Sequence, residues 1–202
     1  MSDIVVRELG LCDYLPTWER MRRFTDDRDD RTADEIWLLE HHPVYTQGQG
    51  CCTIPSGHPE IPIVHSDRGG QITYHAPGQL VAYVLIDLRR LRTGVKSMVH
   101  MLEQSVIDFL VDLSLPAERI SGAPGVYVGG KKISALGLRV RRGASYHGLS
   151  LNVDMDLGPY TAIDPCGYRD LDVTQLKDLG VPMPIEKVRR DLAQRIISKL
   201  SD

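Results

Sequence analysis

Seven consecutive apolar residues, Leu80-Val81-Ala82-Tyr83-Val84-Leu85-Ile86, follow directly on a stretch that no core strand would carry, Arg68-Gly69-Gly70-Gln71-Ile72-Thr73-Tyr74-His75-Ala76-Pro77-Gly78-Gln79. The apolar run is too short to cross a membrane as a helix and reads as a strand buried on both faces. The stretch before it places Thr73, Tyr74, His75 and Gln79 close together behind paired glycines, which let a backbone approach its neighbour closely. Together they predict a hairpin, with residues 71–75 as one strand, Ala76-Pro77-Gly78 as the turn and residues 79–87 as the next strand. A glycine pair followed by polar residues is as often a structural turn as a ligand wall, so the chemistry has to be sought elsewhere too.

The 202 residues are enough for one domain with a full core, and no linker divides them, so a single domain over 1–202 is expected. A net charge of -3 gives no ground for a nucleic-acid footprint. Residues 1–9 lack the basic start and apolar centre of a signal peptide, and no run spans a membrane; a cytoplasmic protein with no membrane partner is expected. Cys12, Cys51, Cys52 and Cys166 form no C-x-x-C pair, and neighbours such as Cys51 and Cys52 are poor disulfide partners; all four read as thiols.

In chain order, residues 4–9 read as a strand. Asp13 is placed to cap a helix whose Leu15, Trp18, Met21 and Phe24 recur at helical spacing. The mixed-sign run over 25–31 lacks the glycine and glutamate of a calcium loop and is assigned to solvated loop. Residues 35–40 read as a buried strand. His41-His42 and Cys51-Cys52 then bracket a glycine-bearing loop, but immediate neighbours do not both point inward onto a tetrahedral ion, and no metal site is assigned. Residues 61–66 lead as a strand into Arg68. After Gly94 a core helix carries Met98, Leu102, Val106, Phe109 and Leu110 on one stripe until Pro116 stops it. Residues 125–128 and 133–140 flank Gly129-Gly130 as a second hairpin, and 145–153 read as a further strand. The stretch from Gly125 to Lys132 nearly spells a phosphate loop, but Lys132 stands where Ser or Thr would hold magnesium, and the motif is rejected. A short helix over 173–179 and a longer one carrying Ile185, Val188, Leu192, Ile196 and Leu200 complete the chain.

Two residues stand out chemically. Cys166 lies in Asp164-Pro165-Cys166-Gly167, where proline sets the approach and glycine frees the exit, so the thiol is presented and not packed. A thiol becomes a useful nucleophile when a nearby cation or base favours its thiolate. Lys131-Lys132 is an odd pair in a strand-forming stretch. Strict alternation puts Lys132 on the face of Ser134, Leu136 and Leu138, where an inward lysine is costly unless used.

Arg68 to His75, Lys132-Ile133-Ser134-Ala135-Leu136-Gly137, Tyr146-His147-Gly148-Leu149-Ser150-Leu151-Asn152 and Pro165-Cys166-Gly167 together closely resemble the octanoyltransferase (lipoyl-protein transferase) family, over about residues 43–168. The resemblance implies an α+β fold of the biotin and lipoate ligase type, with a mixed or antiparallel sheet packed by helices. It implies an acyltransferase that moves octanoyl or lipoyl groups from acyl carrier protein to a lysine. The acceptors would be lipoyl domains of oxo-acid dehydrogenases and the glycine-cleavage carrier protein. It implies no cofactor and no metal, and a monomer is expected. Carried over residue by residue, it makes Cys166 the nucleophile and Lys132 its activator. Arg68, Gly69, Gly70, Gln71, Ile72, Thr73, Tyr74 and His75 become one wall of the acyl site, with Ala135, Leu136, Gly137, Gly148, Leu149 and Ser150 as the others.

With a thioester donor, transfer to a thiol is nearly isoenergetic and the amide that follows is lower in energy, so no ATP is required. Lys132 can serve as a cation or as a neutral base. Backbone N–H groups at Gly69-Gly70 or near Leu136-Gly137 are candidates for an oxyanion hole, and His75 and His147 are read as supporting the pocket. Three rivals remain: an ATP-dependent ligase on the same fold, a silent binding module, and a cysteine hydrolase pairing Cys166 with His75 or His147.

Overall fold

The computed structural model describes residues 4–50, 57–163 and 172–201; Cys51, Cys52 and Cys166 lie outside them. The elements in order are β1 (Val5–Cys12), α1 (Tyr14–Asp26), β2 (Glu35–His41), β3 (Val44–Gln47), β4 (Ile63–His65), β5 (Ile72–His75), β6 (Gln79–Leu85) and α2 (Val95–Asp112). There follow β7 (Ala117–Ile120), β8 (Ala123–Val128), β9 (Lys131–Arg141), β10 (Ala144–Asn152), a 3-10 turn (Gly158–Ala162) and α3 (Ile185–Ser201). A seven-stranded sheet runs β1-β2-β6-β10-β9-β8-β7, and a three-stranded sheet runs β4-β3-β5. The large sheet is mixed, because β1 and β2 are parallel while every other pairing in it is antiparallel. The expected α+β fold with a mixed sheet packed by helices is what forms.

The apolar run is central, and period two divides it. Leu80, Ala82 and Val84 join the core with Leu102, Val106 and Phe109 of α2 and Val188, Leu192 and Ile196 of α3. Val81, Tyr83 and Leu85 face the other way, with Trp37 and Leu39 of β2, Met21 of α1 and Tyr146 of β10. Complete burial of side chains of this size contributes about 1.5–3 kcal/mol each, which is why β6 carries no polar residue after Gln79.

The expected hairpin over 71–87 does not form. β5 pairs with β3 in the small sheet, whereas both edges of β6 are taken by β2 and β10. Ala76-Pro77-Gly78 instead passes the chain from one sheet to the other. Gly78 anchors the passage: its N–H donates to Glu40 Oε2 at 2.8 Å, and its carbonyl accepts from Val153 and Asp154 at 3.1 and 3.0 Å. Its φ is 86°, and a Cβ there would lie 1.9 Å from Asp154 O, so only glycine fits.

The short helix expected over 173–179 is a turn. The N–H groups of Thr174, Leu176 and Lys177 donate to Lys132, Asn152 and Val153 carbonyls of the neighbouring sheet, which leaves them none for a helical ladder. Asp13 does precede α1, but its side chain makes no cap bond. The strands β3 and β7 were not foreseen; both are only four residues long, too short for alternation to register.

Candidate functional site

On the large sheet's face toward the small sheet, four neighbouring positions carry side chains no larger than serine. Gly148 lies between Tyr83 and Gly137, and Ser150 lies between Val81 and Ala135. These small residues leave a trough in an otherwise filled surface. The small sheet and its approach cover it with Gly70, Gln71, Ile72, Thr73 and His75, enclosing a cavity of about 240 Å³. Arg68, Lys132, Leu136 and Leu149 also line it, so most of the residues singled out in the sequence come together.

Two do not. Tyr74 does not line the cavity and packs instead against the rings of Tyr45 and Tyr160. Gly69 is occupied structurally: its N–H donates to Leu138 O at 3.0 Å, which removes it as an oxyanion donor and ties the loop to β9. Tyr14, Val81, Tyr83, Asn152, Tyr160 and Val173 line the cavity without having been picked from the sequence. Nothing local distinguishes Tyr14 or Tyr83 from ordinary core aromatics.

Lys132 reaches the cavity through an irregularity in β9. Val126 of β8 faces Ser134 while the next residue, Tyr127, faces Lys132, so Ile133 is an extra residue in the ladder. Ile133 turns into the helix-side core, and Lys132, 3% exposed, lines the cavity, which corrects the grouping that strict alternation gave. Its Nζ donates to Pro124 O at 3.0 Å and sits 5.3 Å from the Tyr127 ring centroid. Its backbone is bonded on both sides of Val173: Lys132 N–H to Asp172 O at 2.8 Å, and Thr174 N–H to Lys132 O at 2.9 Å. Cys166 lies outside the described residues, yet the chain on either side of its segment meets this cavity, at Tyr160 before it and at Val173 after it.

The other polar groups form an interlocked set. His75 donates from Nδ1 to Gln79 Oε1 at 2.6 Å, because the Gln79 amide nitrogen is committed to Tyr74 O, Asn152 Oδ1 and the Tyr160 hydroxyl. Its Nε2 accepts from the Thr46 hydroxyl at 3.4 Å, which in turn accepts from Arg68 Nε at 3.0 Å. His41 donates from Nδ1 to Cys12 O and accepts the Tyr83 hydroxyl at Nε2, 2.6 Å away. Burial lowers the pKa of His41 to about 4 and that of His75 to about 3, so both are uncharged at neutral pH. His147 is lowered by burial as well, against the pull of Asp67. Burial works to raise the Asp67 pKa, but hydrogen bonds from His147, Tyr146 and Trp18 outweigh it and hold the carboxyl well below the usual range. An Asp67 carboxylate only accepts, so His147 donates from Nε2, at 3.0 Å.

A three-stranded sheet lies against a seven-stranded mixed one, and the cavity between them is lined by a buried lysine. Solved structures share the architecture. A bi-partite lipoate protein ligase from Thermoplasma acidophilum matches with a TM-score of 0.72 at 20% identity, covering 98% of this chain and 85% of that one. Biotin protein ligase from Aquifex aeolicus matches with a TM-score of 0.59 at 14% identity, covering 100% of this chain and 70% of that one.

The family model of the lipoyl protein ligase A/B catalytic domain matches residues 13–197, and the chain belongs to that family. Curated relatives named octanoyltransferase include one from Xanthomonas campestris pv. campestris (strain 8004), 54% identical over 95% of this chain and 83% of the relative. Another, from Dechloromonas aromatica (strain RCB), is 52% identical over 97% of this chain and 96% of the relative.

Proposed function

We propose that the protein transfers octanoyl or lipoyl groups from acyl carrier protein to a lysine of lipoyl domains, through a thioester on Cys166. The observation that carries this reading is the pairing of Lys132 with residues 172–174: the strand that holds a buried amine in the cavity is zipped to the chain leaving the Cys166 segment. The octanoyltransferase names of the relatives supply the substrate class.

In the first step the Cys166 thiolate attacks the donor carbonyl. The carrier's C–S bond breaks, and the proton from Cys166 passes through Lys132 to the departing carrier thiolate. In the second step the neutral ε-amine of the acceptor lysine attacks the acyl-enzyme. The Cys166 C–S bond breaks as the C–N bond forms, and the amine's proton goes by way of Lys132 to the Cys166 sulfur. Neither step consumes a nucleotide. The trough binds the tail: at about 0.8 kcal/mol per buried methylene, an octanoyl chain contributes on the order of 5 kcal/mol before ordering costs.

The surroundings of His75 and His147 favour the transfer reading over a hydrolase. Both ring nitrogens of His75 are engaged. His147 pairs across the sheet with Leu138, about five ladder steps along β9 from Lys132 once the bulged Ile133 is discounted, so the two side chains leave the sheet roughly 16–17 Å apart. Intact-mass measurement after mixing with octanoyl-acyl carrier protein in the absence of ATP tests the proposal. A gain of one octanoyl group, labile to hydroxylamine and discharged onto an added lipoyl domain, is expected. No adduct without ATP, and transfer to the lipoyl domain once ATP and free octanoate are supplied, would point to a ligase.

A further inference from the structure

Among the buried residues of α2, Glu103 is the only one that carries a charge. It follows Leu102 and lies three residues before Val106, both in the core, and a carboxylate there is costly unless its oxygens are partnered. Each oxygen has a partner. Oε2 accepts from Arg119 Nε at 2.9 Å, and Arg119 also donates to His100 O and Gln104 Oε1, each at 3.0 Å. Oε1 accepts from the backbone N–H of Gly125 at 3.0 Å. That N–H belongs to the same peptide as the Pro124 carbonyl, and the Pro124 carbonyl is the one that accepts from Lys132 Nζ at 3.0 Å. A trans peptide is planar, so its N–H and C=O point in opposite directions from one rigid unit. Carboxylate, peptide and amine therefore form one chain of hydrogen bonds leading from α2 to the cavity. The lysine lies close against this peptide: a Cβ on Gly125 would sit 3.0 Å from Lys132 Cε and 3.3 Å from Nζ.

We infer that Glu103 is a positioning residue for acyl transfer, acting through the Pro124-Gly125 peptide to hold the Lys132 amine at the cavity. The inference rests on the reading of Lys132 as the group that moves protons in both steps, and adds the residue that aims it. A carboxylate that accepts from the N–H polarises the peptide, draws electron density onto the Pro124 oxygen and strengthens its bond to Nζ. The same contact fixes the peptide plane, and with it the direction of the carbonyl. Lysine carries its amine on a long flexible stem, and an amine that takes a proton from one group and hands it to another gains from having one N–H bond pinned. The ion pair with Arg119 alone would tie α2 to β7 without reaching the amine. The bond to Gly125 extends that tie to Lys132, and the two roles predict different kinetics.

The test reads acyl-enzyme formation from octanoyl-acyl carrier protein by intact mass, in the full-length protein with Lys132 and in the Lys132→Met background. Glu103→Met removes the acceptor but keeps an apolar side chain that suits α2, and it releases Arg119, whose side chain is already 29% exposed, to solvent. Glu103→Gln keeps an oxygen for the Gly125 N–H. With Lys132 present, Glu103→Met is expected to slow acylation by roughly 10-fold or more, and Glu103→Gln to recover part of the loss. In the Lys132→Met background both substitutions should change the remaining rate by less than about 2-fold, because a residue that acts through the amine has no effect once the amine is gone. Where acylation in that background is too slow to follow, alkylation of Cys166 by iodoacetamide, read by peptide mass, gives the same comparison. If Glu103→Met does not fold, the nearly isosteric Glu103→Gln carries it, with a loss of roughly 3-fold expected with Lys132 and none without. A loss of the same size in both backgrounds, or no loss with Lys132 present, overturns the assignment. A wild-type protein that takes no octanoyl group, or a Lys132→Met protein as fast as wild type, is a separate result, which overturns the acyl-transfer reading or the part of Lys132 in it.

Discussion

Lys132 and His147 are both buried, titratable side chains lining one cavity from adjacent strands, and their surroundings present opposite chemistry. Lys132 is held by a backbone carbonyl and an aromatic face, and its own backbone is bonded to the chain that leads away from Cys166. His147 is held by a carboxylate that fixes its tautomer, and burial keeps the ring neutral. Burial by itself therefore does not mark the reacting end of a cavity. The amine is linked to a second chain segment, as the proposed proton transfer requires, whereas the imidazole is locked by a carboxylate.

The sharpest way to break this contrast is at the reacting end. Cys166→Ala should remove the acyl-enzyme and slow transfer by roughly 10³-fold or more, with the melting temperature nearly unchanged. Retained turnover in that variant, followed by transfer of labelled octanoate, would eliminate the covalent route. Lys132→Arg should keep the charge yet lose on the order of 10²-fold in rate, because guanidinium does not act as a neutral base. If the arginine variant is almost fully active, Lys132 serves only as a fixed cation.

Between the two ends, the trough itself can be narrowed. Ala135→Phe should shift selectivity from octanoyl toward butanoyl by roughly 10-fold or more while acylation continues, measured as relative rates across donors of different length. Gly148 looks from the sequence like an equivalent target, but a Cβ there would lie 2.0 Å from Ala82 O in the neighbouring strand. Gly148→Val is therefore expected to break the β6–β10 ladder, losing about 3 kcal/mol or more of stability, and to report nothing about chain length. A folded Gly148→Val protein with altered chain preference would contradict that assignment.

The last effect is a pH dependence spread along the polar side. His41 and His75 have folded-state pKa values near 4 and 3, below the ordinary 6.5. Below pH 6.5 the unfolded chain takes up protons that the fold refuses, so this stability is complete above 6.5 and is lost as pH falls toward 4. Each group contributes up to roughly 1.4 kcal/mol per pH unit in that window. Thermal melts should show the decline between about pH 7 and pH 5, and His75→Gln should flatten it. A melting temperature that holds steady over that interval would mean that these rings are not neutral in the fold.

Much of the site was legible before any coordinates. The motifs around Arg68, Lys132 and His147 assembled into one cavity, and the small residues Ala135, Gly137, Gly148 and Ser150 proved to share a face of the sheet. What misled were inferences from neighbours in the chain. Chain adjacency groups Tyr74 with Ile72 as lining, yet only Ile72 of the two meets the cavity, and it offers Gly69 as an oxyanion donor although its N–H already donates to Leu138 O.

Side-chain periodicity and turn chemistry report how each short segment meets solvent, and they were enough to place the buried strand β6, the helices α1, α2 and α3, and the hairpin of β8 and β9. They carry no record of which strand edges meet. That choice is a competition among distant backbone donors and acceptors. It sent β5 to β3 and not to β6, drew residues 174–177 onto the large sheet in place of a helix, and inserted Ile133 as the extra residue that turns Lys132 into the cavity. The tautomer of His147 is set the same way, by a carboxylate 80 positions away in the chain.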